Sequence, residues 1–341
     1  MNQKKSIFQH ESFQKFLAFG MLILMIIVFS FMDKSFLSIS VIINILLATT
    51  VTGVLALGIT FVLVSGENDL SIGTNMTFSA VVAGIIINKI IASINPQGTI
   101  ESSGISVILI ILAIVIALIV GASVGLFNGF MIAKLKMPAF IATLGTQMII
   151  RGCSLVFSDV KPVYFTSLPM YAEISTGSLV GKVIKVFQLP NAVIVFFALA
   201  VLAWFLLSKT LLGRYTFAIG SNEEAARLSG IKTDAWKMGI FALCGAFAGL
   251  AGILMSSRLN SAQPAMGVGY ELDAIAASVL GGTSLSGGEG SILGALIGAF
   301  IMTVLVTGLT INGVNQEAQY IFKGVILLVC VYFDVFRKKN N

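Results

Sequence analysis

The chain has 341 residues, 57% of them hydrophobic and 11% charged, and its mean hydropathy is +0.99. Soluble domains carry about 25% charged residues. This composition therefore excludes an ordinary soluble protein, and the bilayer has to serve as a second apolar solvent. The formal charge of +6 does not mark a nucleic-acid binder, because the basic residues gather at the ends of apolar stretches.

A polar leader, 1–15, carries Lys4, Lys5, Lys15 and the single histidine, His10, which leaves no basis for a His-centred catalytic site. The apolar run 16–32 is longer than the core of a cleavable signal and has no small-residue cleavage site, so it reads as an uncleaved first span. Further spans are expected at 40–64, 70–92, 105–133, 138–157, 191–212, 236–257, 291–312 and 318–335. The runs are continuous rather than alternating, which excludes barrel strands. A backbone in hydrocarbon must satisfy its own hydrogen bonds, which makes them helices.

A tenth, weaker segment covers 272–285. With the N-terminus inside, 13 of the 21 Lys and Arg residues fall on the inner side. They include Lys134, Lys136, Lys209, Arg214, Arg227, Lys232 and Lys237, as the positive-inside rule asks. Nine crossings would put Arg337-Lys338-Lys339 outside, whereas ten keep both termini cytoplasmic. The small residues Ala274, Ala276, Ala277 and Ser278 also suit a short crossing packed among other helices. The expected fold is an all-α polytopic membrane protein of about ten transmembrane helices. It divides into the leader 1–15, one permease domain 16–336 and a tail 337–341, with an outer segment at 158–190 and a cytoplasmic one at 213–235.

Cys153, Cys244 and Cys330 lie in apolar stretches without metal-ligand spacing and read as small core residues. The 25 Phe read as lipid-facing and packing residues. Glu67-Asn68-Asp69 falls between two spans. Ionisable groups at membrane depth are functional suspects, yet the triplet also fits a surface loop in which Asp69 or Ser71 caps the next helix. Glu271 and Asp273 pose the same choice. Asn44, Asn128, Thr143, Thr146 and Gln147 are uncharged polar residues inside spans, placed either to hydrogen-bond passing hydroxyls or to staple helices together. Arg151, read as the only basic residue well inside a strong span, should snorkel, pair or mark the helix end. Gly281, Gly282, Gly287, Gly288, Gly290 and Gly294 suit a tight inner turn and a close helix contact.

In the cytoplasmic segment, Ser221 or Asn222 can cap a helix whose first turn holds Glu223 and Glu224, and Gly230 suits its stop. An exposed helix of about two turns is marginal alone, so something must hold it. Glu224-Ala225-Ala226, then three residues before Gly230, then nine before Ile240, resembles the EAA motif of bacterial importer permeases. Phe241-Ala242-Leu243 replaces that motif's usual Leu-Pro ending, a departure typical of the ribose/galactose-type branch.

Other segments resemble that branch in family order. They are Asp69-Leu-Ser-Ile-Gly73, Pro138-Ala-Phe-Ile-Ala-Thr-Leu-Gly145, Gly220 to Gly230, Tyr270-Glu-Leu-Asp-Ala-Ile-Ala-Ala277, Leu280 to Gly288 and Gln319-Tyr-Ile-Phe-Lys-Gly324. Glu67 and Asn68 depart from it, standing where the branch has Gly and a small apolar residue. Leu285-Ser-Gly-Gly-Glu289 resembles the signature of the partner ATPases, but no Gly-x-x-x-x-Gly-Lys-Ser/Thr loop occurs in the chain to cradle a triphosphate.

The resemblance is to permeases of the monosaccharide type in ATP-binding-cassette importers. It implies a type II-like permease fold in the bacterial plasma (inner) membrane, with no enzyme activity and no cofactor of its own. ATP is bound by a separate cytoplasmic ATPase. The other implied partners are a second permease copy or a paralogue and an extracytoplasmic sugar-binding protein. Asn222, Glu223, Glu224, Ala225, Ala226, Arg227 and Gly230 then couple to the ATPase. Asn44, Glu67, Asn68, Asp69, Ser71, Asn128, Thr143, Gln147, Glu271 and Asp273 are the candidates for the translocation path. Rival readings are an ion-coupled secondary transporter using Glu67 and Asp69, a non-transporting membrane scaffold, and a permease of the same type for a nucleoside or a sugar-like signal.

Overall fold

The structure, a computed structural model, describes residues 11–95, 98–100, 103–183 and 188–339. Lys4, Lys5 and His10 lie outside the described residues, as do the side chains of Lys15, Cys330 and Arg337-Lys338-Lys339. The helices are α1 (Glu11–Met32), α2 (Ile39–Val64), α3 (Ile72–Ile94), α4 (Ser103–Ala133), α5 (Ala139–Phe157), α6 (Leu179–Val183), α7 (Asn191–Lys209), α8 (Leu211–Ser221), α9 (Glu223–Leu228), α10 (Thr233–Leu259), α11 (Tyr270–Leu280), α12 (Ile292–Ile311) and α13 (Gln316–Lys339). Among the described residues seven are long and apolar enough to cross a membrane: α2, α3, α4 from Gly104, α5, α7, α10 and α12. The other three expected crossings differ in kind. The apolar part of α1, Phe16–Met32, is shorter than the seven, and 318–335 lies within α13.

The segment expected as a crossing at 272–285 is instead the 11-residue helix α11. At 1.5 Å per residue it rises about 16 Å, roughly half the hydrocarbon thickness of ~30 Å. Residues 260–269, between α10 and α11, form one short strand, Ser261–Ala262, and a run of turns. The expected span 191–212 also ends early, at Lys209: Thr210 is extended (φ −108°, ψ 169°) and α8 starts afresh.

The centre of the bundle is α2, 89% of whose apolar window is buried. It touches α7, α8, α10, α11 and α12. By contrast α4, α5 and α7 leave Ile108, Ile119, Met148, Ile149, Val201 and Phe205 exposed, the pattern of helices facing lipid. Lipid gives no hydrophobic drive between helices, so close approach has to come from small residues. On α4, Gly121, Gly125 and Gly129 recur every fourth position and meet Gly245, Phe241 and Met238 of α10, where an added Cβ would strike backbone. Gly281, Gly294 and Gly298 make the same backbone contact between the α11 end and α12.

The outer segment is ordered by packing. Its Val163–Tyr164 (β1) pairs antiparallel with Ser261–Ala262 (β2), in register Val163 with Ala262. A 3-10 turn, Pro169–Ile174, follows and then the short helix α6. Phe165 and Tyr171 stack with ring centroids 3.9 Å apart. The Tyr171 hydroxyl lies 2.7 Å from Ser256 Oγ, and Ser175 donates to the Leu254 carbonyl of α10. Cys244 is buried and Cys153 half-buried, both free thiols.

Candidate functional site

The short helix α9 forms where local capping dictates. Asn222 is extended (φ −163°, ψ 102°), and its side chain accepts from Ala225 N at 2.9 Å, satisfying one of the free amides of a first turn. Glu223 and Glu224 fall in that turn. Gly230 adopts φ +86°, the left-handed region that glycine enters freely, and its N–H donates to the Arg227 carbonyl. Ala226 is buried, whereas Glu224, Ala225 and Arg227 are exposed, and Leu228 is 84% exposed. One face of α9 is thus anchored and the other is open.

The anchor is ionic. Lys237, in the first turns of α10 and nearly buried, donates to Glu67 Oε1 and to Glu223 Oε2, both at 2.6 Å. A single ammonium therefore ties α9 to the loop between α2 and α3. Arg227 adds an i,i+4 bond of 3.0 Å to Glu223. Asp234 accepts from Lys136 at 2.9 Å and from Lys134 at 3.4 Å, which attaches the α4–α5 turn. Burial pushes the Glu223 carboxyl up. Its hydrogen bond and charge interaction with Lys237, helped by Arg227 and Lys136, more than offset this and hold it below the usual range. The exposed Asp234 pairs are worth little, about 0–1 kcal/mol. Removing one partner of a buried pair costs about 3–5 kcal/mol, so Lys237 carries the node. Glu67, a carboxylate an ion-coupled transporter would keep free, is engaged here.

Beside the node, three segments meet with almost no side chain between them. Gly66 (φ +82°), Gly287 (φ +81°) and Gly220 of α8 touch through backbone. Gly288 N donates to the Val64 carbonyl at 2.9 Å, and Ser284 N to the Glu289 carbonyl at 3.0 Å. Gly282 (φ +90°), Gly287 and Gly288 lie in the turn between α11 and α12, which docks on the α8 end and on the α2 end.

Above the node runs a buried polar column. Asp69 Oδ1 accepts from Ser71 N (2.8 Å), Ser71 Oγ (2.7 Å) and Asn128 Nδ2 (3.4 Å), and Asn128 also reaches Ser71 Oγ at 2.8 Å. Ser71 makes no side-chain cap to α3. Thr143 Oγ1 accepts from Leu70 N at 3.2 Å. Deeper, Gln147 Nε2 and Gly269 N both donate to Glu271 Oε1 at 3.3 Å, while Glu271 Oε2 is buried without a partner. Asp273 turns to α13, where Lys323 Nζ lies 2.6 Å from Oδ2. Asn128, Thr143 and Gln147 therefore staple loops and helices to one another.

Asn68 is half-buried beside the column. Asn44 is exposed near the start of α2, away from this set, and Arg151 is exposed on α5. Two lysines of the site are not singled out by the sequence pattern: Lys237 stands there only as one inner charge among many, and Lys323, a basic residue inside an apolar run, carries the same signal as Arg151.

Comparison with known proteins places these features. The family described as "Branched-chain amino acid transport system / permease component" matches residues 41–331. The chain is similar to the ribose import permease protein RbsC of Bacillus subtilis (strain 168), 40% identical over 99% of this chain and 97% of that protein. RbsC of Escherichia coli (strain K12) is 39% identical over 92% of this chain and 91% of its own length. The galactose/methyl galactoside import permease protein MglC of Escherichia coli (strain K12) is 36% identical over 96% and 97%. No solved structure matches the chain.

Proposed function

The chain belongs to the branched-chain amino acid transport system / permease component family, and from that premise we propose that it is the membrane subunit of an ATP-driven importer for a monosaccharide. The family description names an amino acid system, but the relatives, matched over nearly the whole chain, are named for ribose and galactose. A sugar of that class is therefore the cargo to expect, with a nucleoside or sugar-like signal as the alternative within the same machinery. The work of ATP hydrolysis falls to a separate cytoplasmic subunit, and a binding protein delivers the sugar at the outer face, against the segment 158–190. The protein sits in the bacterial inner membrane with about ten crossings in a type II-like fold and both termini inside, as one domain, 16–336. It works as a homodimer or with a paralogue.

In this reading α9 is the coupling helix. Its open face, with Glu224, Ala225 and Leu228, meets the ATPase, and Asn222 and Gly230 fix its ends. The observation that carries the reading is the pair of salt bridges from Lys237 to Glu67 and to Glu223, which makes a displacement of α9 a displacement of the loop leading to Asp69 and α3. Glu271 and Asp273 lie further along the path. The test is uptake of labelled D-ribose, D-galactose and D-xylose by proteoliposomes holding the complex. Glu224→Lys and Leu228→Asp, both on the exposed face, are expected to abolish ATP-driven uptake while the purified chain keeps its melting temperature. Normal uptake in both variants would remove α9 from the coupling role.

A further inference from the structure

A cavity of about 640 Å³ opens between α2, the start of α11, α12 and α13, within the range of about 300–1,000 Å³ typical of small-molecule sites. Its wall includes Arg258, Tyr270, Asp273, Thr307, Gln319 and Lys323. Lys323 stands seven residues into α13, about 10 Å from that helix's start at 1.5 Å per residue, and Asp273 lies in the first turn of the half-length helix α11.

The Lys323–Asp273 pair has unused hydrogen-bonding capacity. An ammonium carries three hydrogens and a carboxylate about four lone-pair sites. The pair shares one contact, between Lys323 Nζ and Asp273 Oδ2, and Asp273 Oδ1 has no partner among the described residues. Gln319 gives its amide hydrogens to Thr310 Oγ1 and to the Val314 carbonyl, which leaves its oxygen for an incoming donor. Arg258 lies in the last turn of α10, where its charge complements the helix dipole. Lys323 and Asp273 cancel each other, so this pair offers an adjacent donor and acceptor without net charge of its own, while Arg258 adds a positive charge elsewhere in the wall. Neighbouring ring hydroxyls, each both donor and acceptor, fit the pair.

We propose that this cavity is a transient sugar site of the permease, in which Lys323 donates to and Asp273 accepts from vicinal hydroxyls of an uncharged monosaccharide. The inference rests on the importer reading above. Such a site is weak, as a conducting path needs, because a tight one would slow release.

The experiment uses the full chain with its ATPase and binding protein in proteoliposomes, with D-ribose, D-galactose and D-xylose as probes. If the unaltered chain moves none of them with ATP, the importer reading fails first. If it does, Asp273→Asn with Lys323→Gln is expected to lower uptake about tenfold, the worth of one charge-assisted hydrogen bond, with ATP hydrolysis stimulated by the loaded binding protein unchanged. The charge exchange, Asp273→Lys with Lys323→Asp, restores a bond between α11 and α13 and is expected to alter the ranking of the three sugars. Wild-type uptake and ranking in the exchange variant would mean that the pair only ties helices, and would overturn the proposal. Independently of variant folding, Thr307→Cys in the otherwise unaltered chain should react more slowly with an impermeant thiol reagent when millimolar sugar is present, read against the parent's own labelling. Equal rates with and without sugar would also overturn it.

Discussion

The two ends of the bundle are held by different chemistry. At the end that carries β1 and β2, Tyr171, Phe165, Ser175, Ser256 and Ser257 are buried and uncharged, and they lock by stacking and hydroxyl bonds. At the end that carries α9, Lys237, Glu67 and Glu223 hold that helix by charge, and its other face is exposed. Stacked rings and hydroxyls have narrow geometries, so an end built from them is rigid. An ammonium between two carboxylates keeps its attraction over a range of positions, which suits an end that has to move and still pull.

The largest effects should come from removing the keystone at either end. Tyr171→Ala deletes a buried ring and should cost about 3–5 kcal/mol, read as a fall in the melting temperature of the purified chain. Lys237→Met strands two partly buried carboxylates, at a cost of up to about 3–5 kcal/mol, and it should also abolish uptake. If Lys237→Met left uptake intact, the charged end would be a mere anchor and the contrast would break. A Leu at Gly245 drives a side chain into the α4 backbone. It should cost about 1–3 kcal/mol as overpacking and weaken both ends alike, because that seam belongs to neither.

Smaller effects sharpen the contrast. Tyr171→Phe loses one hydroxyl bond, about 1 kcal/mol, and should leave uptake untouched. The smallest is a pH effect. The Glu223 carboxyl is held below its ordinary value, so its contribution to stability is present above the unfolded-state value and lost as pH falls through the folded one. An acid titration of the melting temperature should show this loss in the unaltered chain and a shallower one in Glu223→Gln. The lock of Tyr171, Ser175, Ser256 and Ser257 at the other end contains no carboxylate and should show no counterpart.

Much of this was legible in the sequence because it is local. The cap at Asn222, the acidic first turn and the stop at Gly230 are set by neighbours within a few residues, and apolar run length fixes the long helices. The node was not legible, because Lys237 meets Glu67 from 170 positions away and nothing in either local pattern names the other. The half-length of α11 was hidden for a related reason. Ala274 to Val279 is apolar enough to belong to a crossing, and nothing local shows that the helix starts only at Tyr270 and turns away at Gly281 and Gly282. The polar residues Asn128, Thr143 and Gln147 could be read either as staples or as path. Their partners, Ser71, Leu70 and Glu271, settle the stapling contacts one by one.

The meeting of Gly66, Gly220 and Gly287 has a mechanical consequence. A joint between ordinary side chains can absorb a push by switching rotamers, so part of the stroke is lost as slack. Here peptide planes rest directly on peptide planes, with no rotamer to yield. Such a joint works like a bearing, passing a small shift of the α8 end almost undiminished to the turn that leads from α11 into α12.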